Sequence, residues 1–194
     1  MQADKKQKLQ NVLNRAVLKK ELTGGILLVR KEGKEECFLT SGYADVAKQI
    51  PIRRDHIFRL YSMSKPITGA AVMKLMEDGL IDLGEAVGEY IPAFRQIKVE
   101  EEGRIVPAKR ELTIKDLLDM TSGLLYGDEE SLSGKHAIQV FEETGDRLFS
   151  DNPVTTMEFA EKMAAGPLAF QPGKCWRYGT SADVLGAVVE AASG

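Results

Sequence analysis

Only two stretches of this 194-residue sequence are clear β-strand candidates, and this scarcity restricts the folds open to the chain. Residues 26–30 and 36–41 are short, apolar-rich runs on either side of a turn at Gly33, which predicts a hairpin. A two-stranded hairpin on its own is marginally stable in water. Because we predict no further strands downstream, the hairpin needs either a layer of helices or strands from elsewhere.

Apolar residues at helical spacing predict that most of the remaining sequence is helical. The predicted helices cover residues 5–20, 62–79, 83–90, 114–120, 156–165 and 182–192, with Thr113 and Thr155 or Thr156 as N-caps. Residues 42–55 and 98–111 are predicted to be exposed loops. Residues 125–153 are polar and weakly periodic, which is typical of a lid or a loosely packed helical insert.

Composition excludes several classes of partner. The sequence is 43% hydrophobic and 28% charged, and its net charge of −3 gives no basic excess for binding nucleic acid. No run of about 18 apolar residues predicts a membrane-spanning helix. The first ten residues lack the apolar centre of a secretory signal. We therefore expect a cytoplasmic protein, or one from which a signal has been removed, with no membrane partner.

Cysteine and histidine are too sparse to predict a cofactor. Cys37 and Cys175 are the only cysteines, which fits a reducing compartment better than a disulfide scaffold. His56 and His136, the only histidines, lie far apart and show no metal-ligand spacing. We expect neither a metal nor any other cofactor.

Ser62 and Lys65 stand together where the second predicted helix begins. A cation is disfavoured at a helix N-terminus by the helix dipole, so a solvated helix start explains the serine but not the lysine. Residues three apart on a helix share a face. A serine hydroxyl needs a nearby base to act as a nucleophile, and a lysine with a lowered pKa can be that base. Ser-x-x-Lys is nevertheless common by chance. Ser64 is a second hydroxyl nearby, but it is adjacent to Lys65 in sequence, so these two side chains point in different directions.

Three motifs in a fixed order give the pair more weight. They are Phe58-x-x-x-Ser62-Met-Ser-Lys65, then the run from Leu112 to Leu124 containing Thr121-Ser-Gly123, then Gln171-Pro-Gly-Lys-Cys-Trp-Arg-Tyr178. From about residue 20 to its end, the chain resembles the serine beta-lactamase-related superfamily of class C beta-lactamases, DD-peptidases and family VIII esterases. The resemblance implies an α/β fold of the α+β type, with an antiparallel sheet flanked by helices and a helical region.

The resemblance also implies residue roles. Ser62 would be the acyl-accepting nucleophile, Lys65 its base and Tyr178 the tyrosine that relays protons to the leaving group. The Ser62 backbone N–H would be one oxyanion donor. The second donor and the family's third motif, a Lys-Thr-Gly or His-x-Gly triplet on a late strand, are missing from this sequence. Trp176 is expected to be core or pocket wall.

The missing motif suggests the N-terminal part of a longer enzyme. We expect residues 1–60 to hold the first helix and the hairpin, 61–170 the catalytic helix and a mostly helical region, and 171–194 the return towards the sheet. We also expect residues 1–194 alone to be inactive and loosely packed, because they lack the sheet strands and one oxyanion donor.

The expected function is a serine hydrolase acting on a small ester or other acyl compound, with the oligomeric state open. Lactamases of this type carry Tyr-x-Asn, whereas this chain has Tyr178-Gly-Thr180, which resembles the esterase branch. Thr180 and Tyr126 are candidate substrate-binding residues. A carboxylesterase is therefore our first interpretation and a beta-lactamase or DD-peptidase the second. A non-catalytic binding protein of the same fold is the alternative from another class.

Overall fold

The computed structural model describes residues 2–194, in two compact units, Met1–Arg59 and Leu60–Gly194. The first, the N-terminal unit, contains one helix and three strands. They are α1 (Ala3–Leu18), β1 (Gly24–Lys31), β2 (Lys34–Asp45) and β3 (Ile50–Pro51), with the strands antiparallel in the order β1-β2-β3. The predicted first helix and hairpin are therefore present.

The hairpin follows from its turn and its buried face. Glu32 and Gly33 both have positive φ angles, of 50° and 75°, as a two-residue type I′ turn requires. Leu27 pairs with Leu39, and Cys37 and Leu39 are buried. The prediction of a loop over residues 42–55 is wrong in part, because β2 continues to Asp45 and pairs with β3. Proline is tolerated in such a strand at the edge of a sheet.

The second unit, the helical unit, starts with a 3₁₀ turn at Tyr61–Ser64 that leads into α2. Its regular elements are α2 (Lys65–Glu77), β4 (Lys98–Glu101), β5 (Arg104–Pro107), α3 (Ile114–Leu118), α4 (Leu132–Arg147), α5 (Thr156–Ala165) and α6 (Ser181–Ser193). Further 3₁₀ turns cover Val87–Glu89 and Pro92–Gln96. Thr113 and Thr155 cap α3 and α5 with their side chains, as predicted.

Two sequence predictions in this unit are wrong. The helix predicted over residues 83–90 is only the 3₁₀ turn Val87–Glu89. The loop predicted over residues 98–111 contains the β4–β5 hairpin, so strands do occur downstream of the first hairpin. Residues 125–153, predicted to be a lid or a helical insert, contain α4, which is capped by the Ser131 side chain.

The core of the helical unit lies where α6 packs against α2, α3 and α5. Its fully buried side chains include Val72, Ile91, Val99, Leu112, Ile114, Leu117, Leu168, Val184 and Val188. In α2, only Val72 and Leu75 are buried. Ile67 is 61% exposed. The helix is therefore anchored in this unit by a narrow stripe.

A buried carboxylate, Asp116, connects α3 to the segments on either side of it. Its oxygens accept two hydrogen bonds from Arg110, at 2.6 and 2.8 Å, and one from the Thr113 backbone N–H at 3.0 Å. The Thr121 hydroxyl donates to the same carboxylate at 3.3 Å. Burial by itself raises the pKa of Asp116, but the hydrogen bonds from Arg110 and Thr113 outweigh it, so the pKa lies below its ordinary value.

Replacing this carboxylate should destabilise the protein in a pH-dependent way. We expect Asp116→Asn to lower the free energy of unfolding by about 2–3 kcal/mol, less than for a fully buried pair because Arg110 is partly exposed. Because the folded-state pKa is lowered, this stabilisation is present above the pKa of the unfolded chain and is lost as pH falls through the folded-state pKa. Urea unfolding at pH 7 and in the acid range measures both effects.

The matched control is Asp119→Asn, which removes an exposed carboxylate paired with Lys115 at the end of the same helix. Surface pairs of this kind contribute about 0–1 kcal/mol, so the control should change little. If both variants lost the same free energy of unfolding at pH 7, the stabilising role of Asp116 would be contradicted.

Candidate active site

Ser62 and Lys65 lie at the junction between the 3₁₀ turn and α2. Ser62 is in the turn, Lys65 is the first residue of the helix and Pro66 follows it, where the missing proline N–H costs no helical hydrogen bond. Tyr61 has a positive φ of 49°, an uncommon angle for a non-glycine residue. No sequence pattern predicted this left-handed backbone conformation, which directly precedes Ser62.

Tyr178 reaches the Ser62 hydroxyl. The Tyr178 hydroxyl donates to Ser62 Oγ at 2.8 Å, although the two residues lie 116 positions apart in sequence. Tyr178 precedes α6, and α6 packs on α2, so the packing of these helices brings the two hydroxyls together. Two of the three predicted catalytic side chains are thus in direct contact.

Lys65 completes the cluster through a second tyrosine. Its Nζ donates to the Tyr126 hydroxyl at 2.6 Å and lies 5.4 Å and 5.2 Å from the ring centroids of Tyr126 and Tyr178. The two rings are tilted against each other with centroids 5.6 Å apart. At these distances the ammonium is attracted by both rings. Ser62, Lys65, Tyr126 and Tyr178 therefore form one connected group, which we call the catalytic cluster.

The electrostatics of the catalytic cluster shift the pKa of Tyr178 downward and the pKa of Lys65 upward. The hydrogen bond with Ser62 lowers the pKa of Tyr178, because the ionised tyrosine oxygen can accept a hydrogen bond from the serine hydroxyl. The positive charge of Lys65 lowers this pKa further. Partial burial lowers the pKa of Lys65, but the hydrogen bond to Tyr126 and the charge of Asp183 outweigh this and raise it. The lowered lysine pKa on which its role as a base depends is therefore not found.

Asp183 is a member of this charge arrangement that sequence reasoning missed. It lies in the first turn of α6, and its negative charge raises the pKa of Lys65. Desolvation raises the pKa of the Asp183 carboxyl itself, while Lys65 opposes that rise. An acidic residue in a first helical turn is common, so its position in the sequence carried no signal.

Thr180 does not face the catalytic cluster. It is fully buried, and its hydroxyl donates to the Leu125 carbonyl at 3.3 Å. Nearby, the hydroxyls of Ser122 and Ser181 are 2.8 Å apart and buried. The Thr180 hydroxyl is thus used inside the protein to join the segment carrying Tyr126 to the segment carrying Tyr178, and in this arrangement it offers nothing to a substrate.

Gly179 allows these two segments to approach closely. A Cβ atom at this position would lie 2.0 Å from the Leu124 carbonyl oxygen, which no side chain could tolerate. The backbone N–H of Arg177 also donates to the Met120 carbonyl at 3.0 Å. Tyr178 is therefore held on both sides by contacts between its own segment and residues 120–125.

An apolar cavity of about 430 Å³ opens beside the catalytic cluster. Ser62, Lys65 and Tyr178 lie at its edge, and its other lining residues are Pro66, Thr68, Gly69, Leu117, Leu118, Met120, Trp176, Ala182 and Leu185. Trp176 is thus a cavity wall, as expected, although it is 68% exposed. A cavity of this size accommodates a small apolar group next to the serine.

Residues 2–194 contain neither a cluster of metal-ligand side chains nor a membrane-spanning helix. No three His, Cys, Asp or Glu side chains in this part of the chain come together as metal ligands would. No helix in the same range is both long and apolar enough to cross a membrane.

The sequence model of the family described as Beta-lactamase matches residues 8–194. The chain belongs to the beta-lactamase family. This confirms both the resemblance found in the three motifs and the α/β fold class. Esterase EstB of Burkholderia gladioli is 33% identical over 192 residues, which cover 96% of this chain and 45% of the esterase. Acyltransferase calJ of Penicillium decumbens is 32% identical over 163 residues, covering 81% of this chain and 37% of that enzyme.

A solved structure extends the comparison. EstCE1, described as a hydrolase with promiscuous acyltransferase activity, matches with a TM-score of 0.78 and 27% identity, over 96% of this chain and 46% of EstCE1. This chain thus spans less than half the length of each of these three relatives.

Proposed function

We propose that this protein is a serine hydrolase that cleaves small carboxylic esters through an acyl-enzyme on Ser62. The observation that carries the proposal is the 2.8 Å hydrogen bond between the hydroxyls of Tyr178 and Ser62, beside the Lys65 ammonium. A serine becomes an effective nucleophile when a neighbouring base can take its proton. The pairing of Ser62 with a tyrosine of lowered pKa meets that requirement.

In the acylation step, Ser62 Oγ attacks the ester carbonyl carbon while its proton passes to the ionised oxygen of Tyr178. The carbon–alkoxy bond then breaks, and Tyr178 returns the proton to the departing alcohol oxygen. In deacylation the oxygen of a water molecule attacks the acyl carbon while Tyr178 takes a proton from the water. The bond between the acyl carbon and Ser62 Oγ then breaks, Tyr178 delivers the proton to Oγ, and the carboxylic acid leaves. Tyr178 is thus unchanged after one turnover, as a general acid–base catalyst must be.

Lys65 has an electrostatic role in this proposal. A protonated lysine cannot accept the serine proton, and the raised pKa of Lys65 favours the protonated form. Its positive charge beside the Tyr178 ring stabilises the ionised tyrosine. The Ser62 backbone N–H is proposed as one oxyanion donor, with a second donor supplied from outside residues 1–194 in the whole protein.

The substrate class follows from the cavity and from the relatives. The cavity beside Ser62 is lined mainly by apolar side chains, which suits an ester with a small apolar acyl or alcohol group. The relatives include an esterase and an acyltransferase. Thr180, at the position where lactamases of this type carry asparagine, is buried and offers no ligand to a lactam amide.

The nucleophile can be identified by covalent labelling. We expect a fluorophosphonate to add one adduct to full-length protein, located on Ser62 by peptide mass spectrometry, and Ser62→Ala to abolish it. Ser64→Ala is the matched control, because Ser64 is an exposed hydroxyl two residues away. This control should keep the adduct. An adduct elsewhere in active protein would contradict the assignment of Ser62.

Turnover of two substrates separates the candidate activities. The second candidate is a beta-lactamase or DD-peptidase, which membership of the beta-lactamase family favours. We expect full-length protein to hydrolyse p-nitrophenyl butyrate with a higher kcat/KM than nitrocefin, because no amide ligand replaces the missing asparagine. A strong preference for nitrocefin would overturn the esterase assignment, and failure to turn over either compound would support a binding protein.

A further inference from the structure

Tyr126 is held firmly at the catalytic cluster by the two residues before it and by the rings around it. Leu124 and Leu125 are buried, which fixes the backbone where the Tyr126 side chain emerges. Its ring packs between Phe141 of α4, with centroids 5.9 Å apart, and Tyr178, with centroids 5.6 Å apart. The Tyr126 hydroxyl therefore has a defined position, and at that position it accepts the hydrogen bond from Lys65.

Two short hydrogen bonds, of 2.8 and 2.6 Å, lie within the catalytic cluster. Tyr178 pairs with Ser62, and Lys65 pairs with Tyr126. A lysine side chain has four rotatable bonds and loses rotamer entropy when it is fixed, so an acceptor is needed to hold it in one place. The Tyr126 hydroxyl is that acceptor, at 2.6 Å.

We propose that Tyr126 is a positioning residue, whose hydroxyl holds the Lys65 ammonium between the Tyr126 and Tyr178 rings so that the charge acts on Tyr178. This inference rests on the function proposed above and adds a role to it. The titratable groups facing Lys65 are Tyr126, Tyr178 and Asp183. Asp183 supplies the opposite charge, while Tyr126 sets the direction in which the lysine points.

The pKa directions agree with this geometry. The Tyr126 hydrogen bond raises the pKa of Lys65 against the effect of its partial burial, and the Lys65 charge lowers the pKa of Tyr178. Removing the Tyr126 hydroxyl should therefore lower the pKa of Lys65. The freed ammonium should also stabilise the Tyr178 phenolate less, which raises the pKa of Tyr178.

Tyr126→Phe in full-length protein tests this role, because it keeps the ring contacts with Phe141 and Tyr178 and removes only the Tyr126 hydroxyl. We expect kcat for p-nitrophenyl butyrate to fall about 10- to 100-fold, the loss typical of a hydrogen bond to a charged group. KM should change little. In the pH profile of kcat/KM, the acid limb, set by Tyr178, should move to higher pH. The alkaline limb, set by Lys65, should move to lower pH.

Tyr90→Phe is the matched control. It also removes one tyrosine hydroxyl from the helical unit, in this case one that donates to Glu85. Because Tyr90 lies outside the catalytic cluster and its cavity, kcat and both limbs should match those of the unaltered protein. Melting temperatures measured for both variants establish that each is folded under the assay conditions.

The outcomes separate the two proposals. If Tyr126→Phe raises KM but leaves kcat and both limbs unchanged, Tyr126 only lines the substrate site and the positioning role is overturned. If the acid limb moves to higher pH, the alkaline limb moves to lower pH and kcat falls, the positioning role is supported. Fluorophosphonate labelling of the unaltered protein is measured first, because absence of a Ser62 adduct there would overturn the proposed function itself.

Discussion

The catalytic cluster depends on one interaction, the placement of the Lys65 ammonium against two tyrosine rings. The ammonium lies just over 5 Å from the ring centroids of Tyr126 and Tyr178, and it donates to the Tyr126 hydroxyl. A cation at a helix N-terminus is disfavoured by the helix dipole, so Lys65 needs these partners and the charge of Asp183 to stay there protonated. In return, its charge lowers the pKa of Tyr178 beside Ser62.

The rest of the helical unit keeps this arrangement rigid. The Asp116 carboxylate joins Arg110, Thr113 and Thr121, and so fixes the end of α3 from which the chain runs to Tyr126. Beyond it, the close approach of Gly179 to Leu124 and the Thr180–Leu125 hydrogen bond fix Tyr178. The polar groups nearest the reacting atoms are therefore positioned by contacts that themselves take no part in chemistry.

The sequence predicted those elements that are stabilised by interactions between residues close together in the chain. Thr113 could be identified as an N-cap because its side chain bonds within its own helix turn, and the first hairpin because Gly33 permits its turn. The β4–β5 hairpin was missed because its short strands carry lysine, glutamate and arginine. Its burial of Val99 depends on Leu168, whose backbone bonds to β4 from far along the chain.

The same distinction applies to the candidate site. Ser62, Lys65 and Tyr178 were identified from motifs, and the structure brings all three to one place. The direction of the Lys65 pKa could not be predicted, because it depends on Tyr126 and Asp183, which are 61 and 118 positions away by sequence number. The burial of Thr180 could not be predicted either, because a threonine hydroxyl at this position can bind either a substrate or the Leu125 carbonyl.

The pKa of Tyr178 in the folded protein is the most direct test of this electrostatic arrangement. It can be measured by NMR titration of full-length protein with ¹³C in the tyrosine rings, with Tyr178→Phe to assign the signal and urea-unfolded protein as the reference. We predict that Tyr178 titrates below the unfolded reference and that Lys65→Met raises its pKa. A Tyr178 pKa at or above the reference, or one that Lys65→Met leaves unchanged, would contradict the proposed partnership of Lys65 and Tyr178.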